Sequence, residues 1–160
     1  MKKTIAIVVL GLLLSTSASF SGKKDIGKGE LKLENWLVEY FHKYIQGQGG
    51  KHPGTFVVAI DGSYASYWYC TVGINCAPSN EKKYTNLCED DAGVECKVFA
   101  RQRSIRWLNG INPGKGKISQ IDSKLDLNGL KAKLTELFEV LIADDVLPPK
   151  NPSSVSFSFN

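Results

Sequence analysis

Leu33, Trp36, Leu37, Tyr40, Phe41, Tyr44 and Ile45 recur at steps of three and four, while Lys32, Asn35, Glu39, His42 and Lys43 fall between them. That period predicts an amphipathic helix, reinforced by Glu39 and Lys43 four apart and ended at Gly47. Beyond Pro53-Gly54 the pattern changes. The runs Thr55 to Ile60 and Ser63 to Cys70 are rich in β-branched and aromatic residues, and Asp61-Gly62 between them predicts a hairpin. Under that turn Phe56 faces Tyr67 and Val58 faces Ala65 on one side of the ribbon, with Tyr64 and Trp68 on the other.

A middle helix follows, with Ser79 as its N-cap, Tyr84, Leu87 and Cys88 on one face and Gly93 as its stop; Lys82 stands where a capping box needs Glu. Cys96, Val98 and Ala100 then alternate with Lys97, Phe99 and Arg101, and a short turn returns the chain through Ile105 and Trp107 as a second hairpin. Asn109 to Gly116 reads as loop. Leu127, Leu130, Leu134, Leu137, Phe138, Leu141 and Ile142 predict a last helix before Pro148-Pro149, and Val155, Phe157 and Phe159 alternate with serines in a tail that makes one strand or frays. The pattern therefore predicts an α+β fold: an antiparallel sheet of two β-hairpins joined by a helix, packed with N- and C-terminal helices and stapled by disulfides.

The N-terminus adds a location. Lys2-Lys3-Thr4, an apolar run from Ile5 to Leu14 broken only by Gly11, and small Ser15 to Ala18 predict a signal peptide cut after Ala18, hence a periplasmic or secreted protein. The run of about ten residues is too short to span a membrane. Residues 19–30 read as a flexible leader, 31–147 as a single domain and 148–160 as a tail. At 42% hydrophobic, with three Trp, six Tyr and seven Phe among 160 residues, the composition excludes a disordered chain; the net charge of +4 is a mild basic excess.

Export turns the four cysteines, Cys70, Cys76, Cys88 and Cys96, into expected bridges. Four cysteines permit three pairings; the favoured one joins Cys70 to Cys76 and Cys88 to Cys96. Their intervals of five, eleven and seven residues do not match the close pairs of a structural zinc site. A catalytic thiol would need to stay reduced and to find a histidine, and the chain has only His42 and His52.

Between Lys97 and Ile121 there is no acidic residue, while Lys97, Arg101, Arg103, Arg106, Lys115 and Lys117 supply positive charge beside Trp107. Arginine forks grip phosphate or carboxylate and an aromatic ring offers a stacking face, so this strip is the candidate binding surface. Its fitting partners are an anionic glycan, a lipid headgroup or an envelope protein; no dedicated nucleic-acid motif is present. The competing reading makes Lys97, Arg101 and Arg106 the solvent-facing half of an edge strand.

Other features stay below that level. Gly110 to Lys117 has its lysines and glycines in the wrong order for a phosphate loop, and no cofactor motif occurs. His42 and His52 have no carboxylate pattern beside them and predict no metal site. Asp61, Glu81, Glu89, Asp90 and Asp91 are acids without the spacing of a glycosidase pair, and Asp61 is needed by its turn. Tyr64, Tyr67, Trp68 and Tyr69 offer either a sugar- or peptide-binding face or ordinary cross-strand packing.

The segments LVEYFHKYIQGQG from Leu37 to Gly49, AIDGSYASYWYC from Ala59 to Cys70, CEDDAGVECKVFARQRSIRW from Cys88 to Trp107 and NGINPGKGK from Asn109 to Lys117 resemble a group of small exported proteins of marine alphaproteobacteria. The resemblance covers Leu31 to Leu137 and implies export and a cysteine-bearing α+β domain, without lending a substrate or catalytic residue. The expected function is a noncatalytic exported module that binds an anionic or glycan-bearing envelope partner. The alternatives are a small periplasmic hydrolase and a protein-binding or inhibitor domain using the Thr71 to Pro78 loop.

Overall fold

A computed structural model of the chain describes residues 25–71 and 81–138, with the backbone of 154–155. The expected signal segment, Cys76, Ser79, the Thr71 to Pro78 loop beyond Thr71, Leu141, Ile142, Phe157 and Phe159 lie outside the described residues. In chain order the elements are α1 (Asn35–Gln46), β1 (His52–Ala59), β2 (Ala65–Cys70), α2 (Glu81–Ala92), β3 (Cys96–Arg101), β4 (Ser104–Ile105), α3 (Leu127–Phe138) and β5 (Ser154–Val155).

The strands form one sheet in the order β4-β3-β1-β2-β5. β1 to β4 are antiparallel, and the two-residue β5 joins the outer side of β2 in parallel. Phe56 pairs with Tyr67 and Val58 with Ala65, the register expected from the Asp61-Gly62 turn. Because β1 lies between β2 and β3 and opposes both, β2 and β3 point the same way, and α2 makes the crossover between them.

Both faces of the sheet are covered. On one, α1 and α3 bury Phe41, Tyr44, Leu130 and Leu134 against Phe56, Tyr67, Phe99 and Ile105. On the other, α2 packs Tyr84 and Cys88 against Val57, Trp68, Cys96 and Val98, with Trp68 and Tyr84 stacked at 3.5 Å between ring centroids. The Cys88–Cys96 disulfide pins α2 to the start of β3. Cys70 carries no free thiol, and its expected partner Cys76 lies outside the described residues.

Two features differ from the sequence pattern. Strict alternation along β3 puts Lys97, Phe99 and Arg101 on one face, but the register jumps from Phe56 opposite Ala100 to Val57 opposite Val98. Phe99 is the extra residue of a β-bulge, so Phe99 and Ala100 both enter the α1/α3 core and Arg101 turns to the α2 side. Arg101 is therefore not part of a simple solvent-facing stripe.

Second, the expected leader is ordered from Asp25 onward. Val98 N donates to Asp25 O at 2.7 Å, Leu108 N to Gly27 O at 2.9 Å and Gly29 N to Leu108 O at 2.8 Å, which lays residues 25–29 along the open side of β3 beside residue 108. The backbone amides there, not apolar side chains, hold the segment, and composition does not report backbone pairing.

Candidate functional site

Arg101, at the end of β3, is turned to the α2 side of the sheet by the bulge, and Arg106 follows β4 by one residue. With Lys28 from the N-terminal segment and Lys115 from the loop after Trp107, they line one cavity of about 340 Å³. Its remaining lining is Ile26, Leu108, Pro113 and Gly114. Residues 26 and 28 lie on the same side of an extended segment while Gly27 faces the other way, where a Cβ would overlap the Trp107 ring.

The loop that carries Lys115 is built by asparagine and serine side chains. Asn112, 2% exposed, donates from Nδ2 to Trp107 O at 2.7 Å and accepts from Ser119 Oγ at 2.6 Å, while Asn109 Oδ1 accepts from Asn112 N at 2.8 Å. Asn109 Nδ2 also donates to Leu137 O at 2.9 Å, which ties the loop to α3. Gly114 has φ of +66°, and a Cβ there would lie 2.7 Å from Arg106 O, so only glycine lets the loop close on the Arg106 backbone.

Among the described residues one carboxylate stands at this site. Glu81, at the first turn of α2 and 4% exposed, receives both Nε and Nη2 of Arg101 in a bidentate pair. Among the described residues Lys28, Arg106 and Lys115 form no salt bridge. Among the described residues Arg106 Nε is buried without a hydrogen-bond partner. Burial first, and the neighbouring Arg101 second, pull the Arg106 guanidinium below its usual pKa, with Glu81 opposing them.

The strip read from the sequence is thus divided. Arg101, Arg106 and Lys115 come together, and Lys28 joins them. Lys97 lies elsewhere on β3 and pairs with Glu95 at 2.6 Å. Arg103 donates from Nε to Ile45 O at 2.8 Å, where a cation at the C-terminal end of α1 complements the exposed carbonyls. Trp107 is 1% exposed and donates its Nε1–H to Gly29 O, so it is a core residue and offers no stacking face. Lys117 is exposed outside the cavity. Lys28 escaped the sequence reading because it sits among glycines and charges in the segment taken as leader; the alternation of Ile26 and Lys28 was its only signal.

Of the other candidate acids three have structural partners, and Asp90 is exposed on α2. Asp61 Oδ1 accepts from Ser63 N and Oγ, Glu89 Oε1 from Cys96 N, and Asp91 Oδ2 from Tyr64 OH. His42 Nε2 lies 2.9 Å from Leu125 O, and His52 is exposed at the start of β1. No group of three or more metal-ligating side chains occurs among the described residues. Tyr67 and Tyr69 belong to the α1 core and Tyr64 and Trp68 to the α2 core. No helix among the described residues is long and apolar enough to cross a membrane. No family model, curated protein or solved structure matches the chain.

Proposed function

We propose that the protein is an exported, noncatalytic binding module that captures an anionic group of an envelope partner in the cavity of Lys28, Arg101, Arg106 and Lys115. The observation that carries this reading is an excess of cations around one concave site: four line it, and among the described residues the one carboxylate at hand is already held by Arg101. Arg106 supplies a buried donor without a partner, which an incoming oxyanion satisfies. Export rests on the signal-like N-terminus and fits the Cys88–Cys96 bridge.

The test is calorimetric titration of the oxidised protein with inorganic phosphate and with a short sulfated oligosaccharide, at low salt and at about 0.5 M salt. Binding is expected to weaken with salt and to fall about 10- to 100-fold in Arg106→Gln, the worth of one hydrogen bond to a charged group. Arg103→Gln, whose side chain serves α1 instead, should bind as the parent does. Equal binding by the parent and Arg106→Gln would refute the assignment.

A further inference from the structure

The same cavity has a second character that bare charge does not require. Three of its eight lining residues, Ile26, Leu108 and Pro113, present apolar side chains, and they come from the same segments as the cations. Ile26 stands two residues from Lys28, Leu108 two from Arg106, and Pro113 two from Lys115, so each of these segments brings an apolar group beside a charged one. Leu108 reaches under the loop to Gly114, where a Cβ would lie 2.6 Å from Leu108 Cδ2. A site for a bare inorganic anion has no use for such a wall, since a hydrated phosphate gains nothing from burial against carbon.

Building on the anion-binding reading, we infer that the ligand is a small amphiphilic anion: one carboxylate or phosphate head on a short apolar body. The head meets Arg106 and the two lysines; the body lies against Ile26, Leu108 and Pro113. The volume of about 340 Å³ is at the low end of the range of small-molecule sites, so it suits a single short ligand and not a folded partner. Arg101 is held by Glu81 and serves to fix the floor of the site, leaving Arg106 as the donor that the head satisfies.

The experiment titrates the full oxidised chain with inorganic phosphate, butyl phosphate and octyl phosphate below its micelle concentration, and in parallel with acetate, butyrate and octanoate. The two series separate a phosphate head from a carboxylate head. Affinity should rise by up to about fourfold per methylene buried and stop rising once the body outgrows the cavity. Leu108→Asn and Ile26→Asn should each flatten that dependence, so that octyl phosphate binds no tighter than inorganic phosphate does to the same variant; circular dichroism checks that each variant folds, and either one suffices. Equal affinity for inorganic and octyl phosphate, with both lost in Arg106→Gln, would overturn the amphiphile assignment and leave the anion site standing. No binding by any member of either series would overturn both.

Discussion

A Cβ at residue 27 has nowhere to go, because the Trp107 ring covers that side of the backbone. Gly27→Ala should therefore cost about 1–3 kcal/mol, as other overpacked sites do, and lower the melting temperature by several degrees. Lys28→Ala, one residue on with an exposed side chain, should leave the melting temperature unchanged and weaken anion binding. Thermal unfolding of the two variants side by side separates the fold's use of this segment from the site's use of it. Gln102 makes a different kind of local demand. It takes φ of +51° at the β3–β4 turn while donating its N–H to Gly54 O at 2.6 Å. Gln102→Gly keeps that bond and removes the left-handed penalty of roughly 1 kcal/mol, partly offset by the greater freedom of glycine when unfolded, so chemical denaturation should show a stability equal to or slightly above the parent.

Among the elements, α2 is pinned to β3 at both ends. It is tied to β3 at one end by Cys88–Cys96 and at the other by Glu81 to Arg101. The bridge closes a short loop, so Cys88→Ala with Cys96→Ala should cost about 2–3 kcal/mol on the loop-entropy account, read as a fall in the denaturation midpoint. Glu81→Gln removes the counter-charge of Arg101 while leaving the guanidinium partly buried. It should destabilise the fold by about 2 kcal/mol, below the 3–5 typical of a fully buried pair because Arg101 keeps some contact with water. Periodicity made the helices legible, since Trp36 to Ile45 repeat at helical spacing, and the Asp61-Gly62 turn made the first hairpin legible, since it sets Phe56 opposite Tyr67. It could not show the bulge at Phe99, because one inserted residue leaves composition and spacing intact while turning Arg101 to the other side of the sheet. Nor could it distinguish Arg103 from Arg106: both are arginines near a turn, and only the return of the chain past the end of α1 gives Arg103 its carbonyl.

At the scale of the whole molecule, the core between α1 and the sheet is unusually rich in tyrosine, and this sets its response to alkali. Burial raises the pKa of Tyr40, Tyr44 and Tyr69, with tyrosine neighbours adding to the effect. A raised folded value means that the stabilisation is fully present below the unfolded pKa of about 10 and is lost as pH rises above it. Tyr44, fully buried, contributes to that loss, since burial holds its phenol neutral in the folded state while the unfolded chain ionises. Denaturation curves between about pH 8 and 12, followed by tyrosinate absorbance, should show flat stability and then a steep decline, and Tyr44→Phe should shallow it. Acid acts through other groups: hydrogen bonds from Ser63 lower the pKa of Asp61, so the turn loses its support as pH falls through that lowered value. The end of β3, the chain after β4, the N-terminal segment and the loop of Lys115 converge on one cationic cavity, and that cavity is the feature most open to a direct check. A titration with inorganic phosphate, followed by amide and arginine Nε–H resonances, should move the signals of residues 26–28, Arg101, 106–108 and 113–115 together, with the Arg106 Nε–H among the largest shifts. Still resonances there, with shifts confined to separate surface cations such as Lys97 and Lys117, would contradict the assignment of this cavity as the working site.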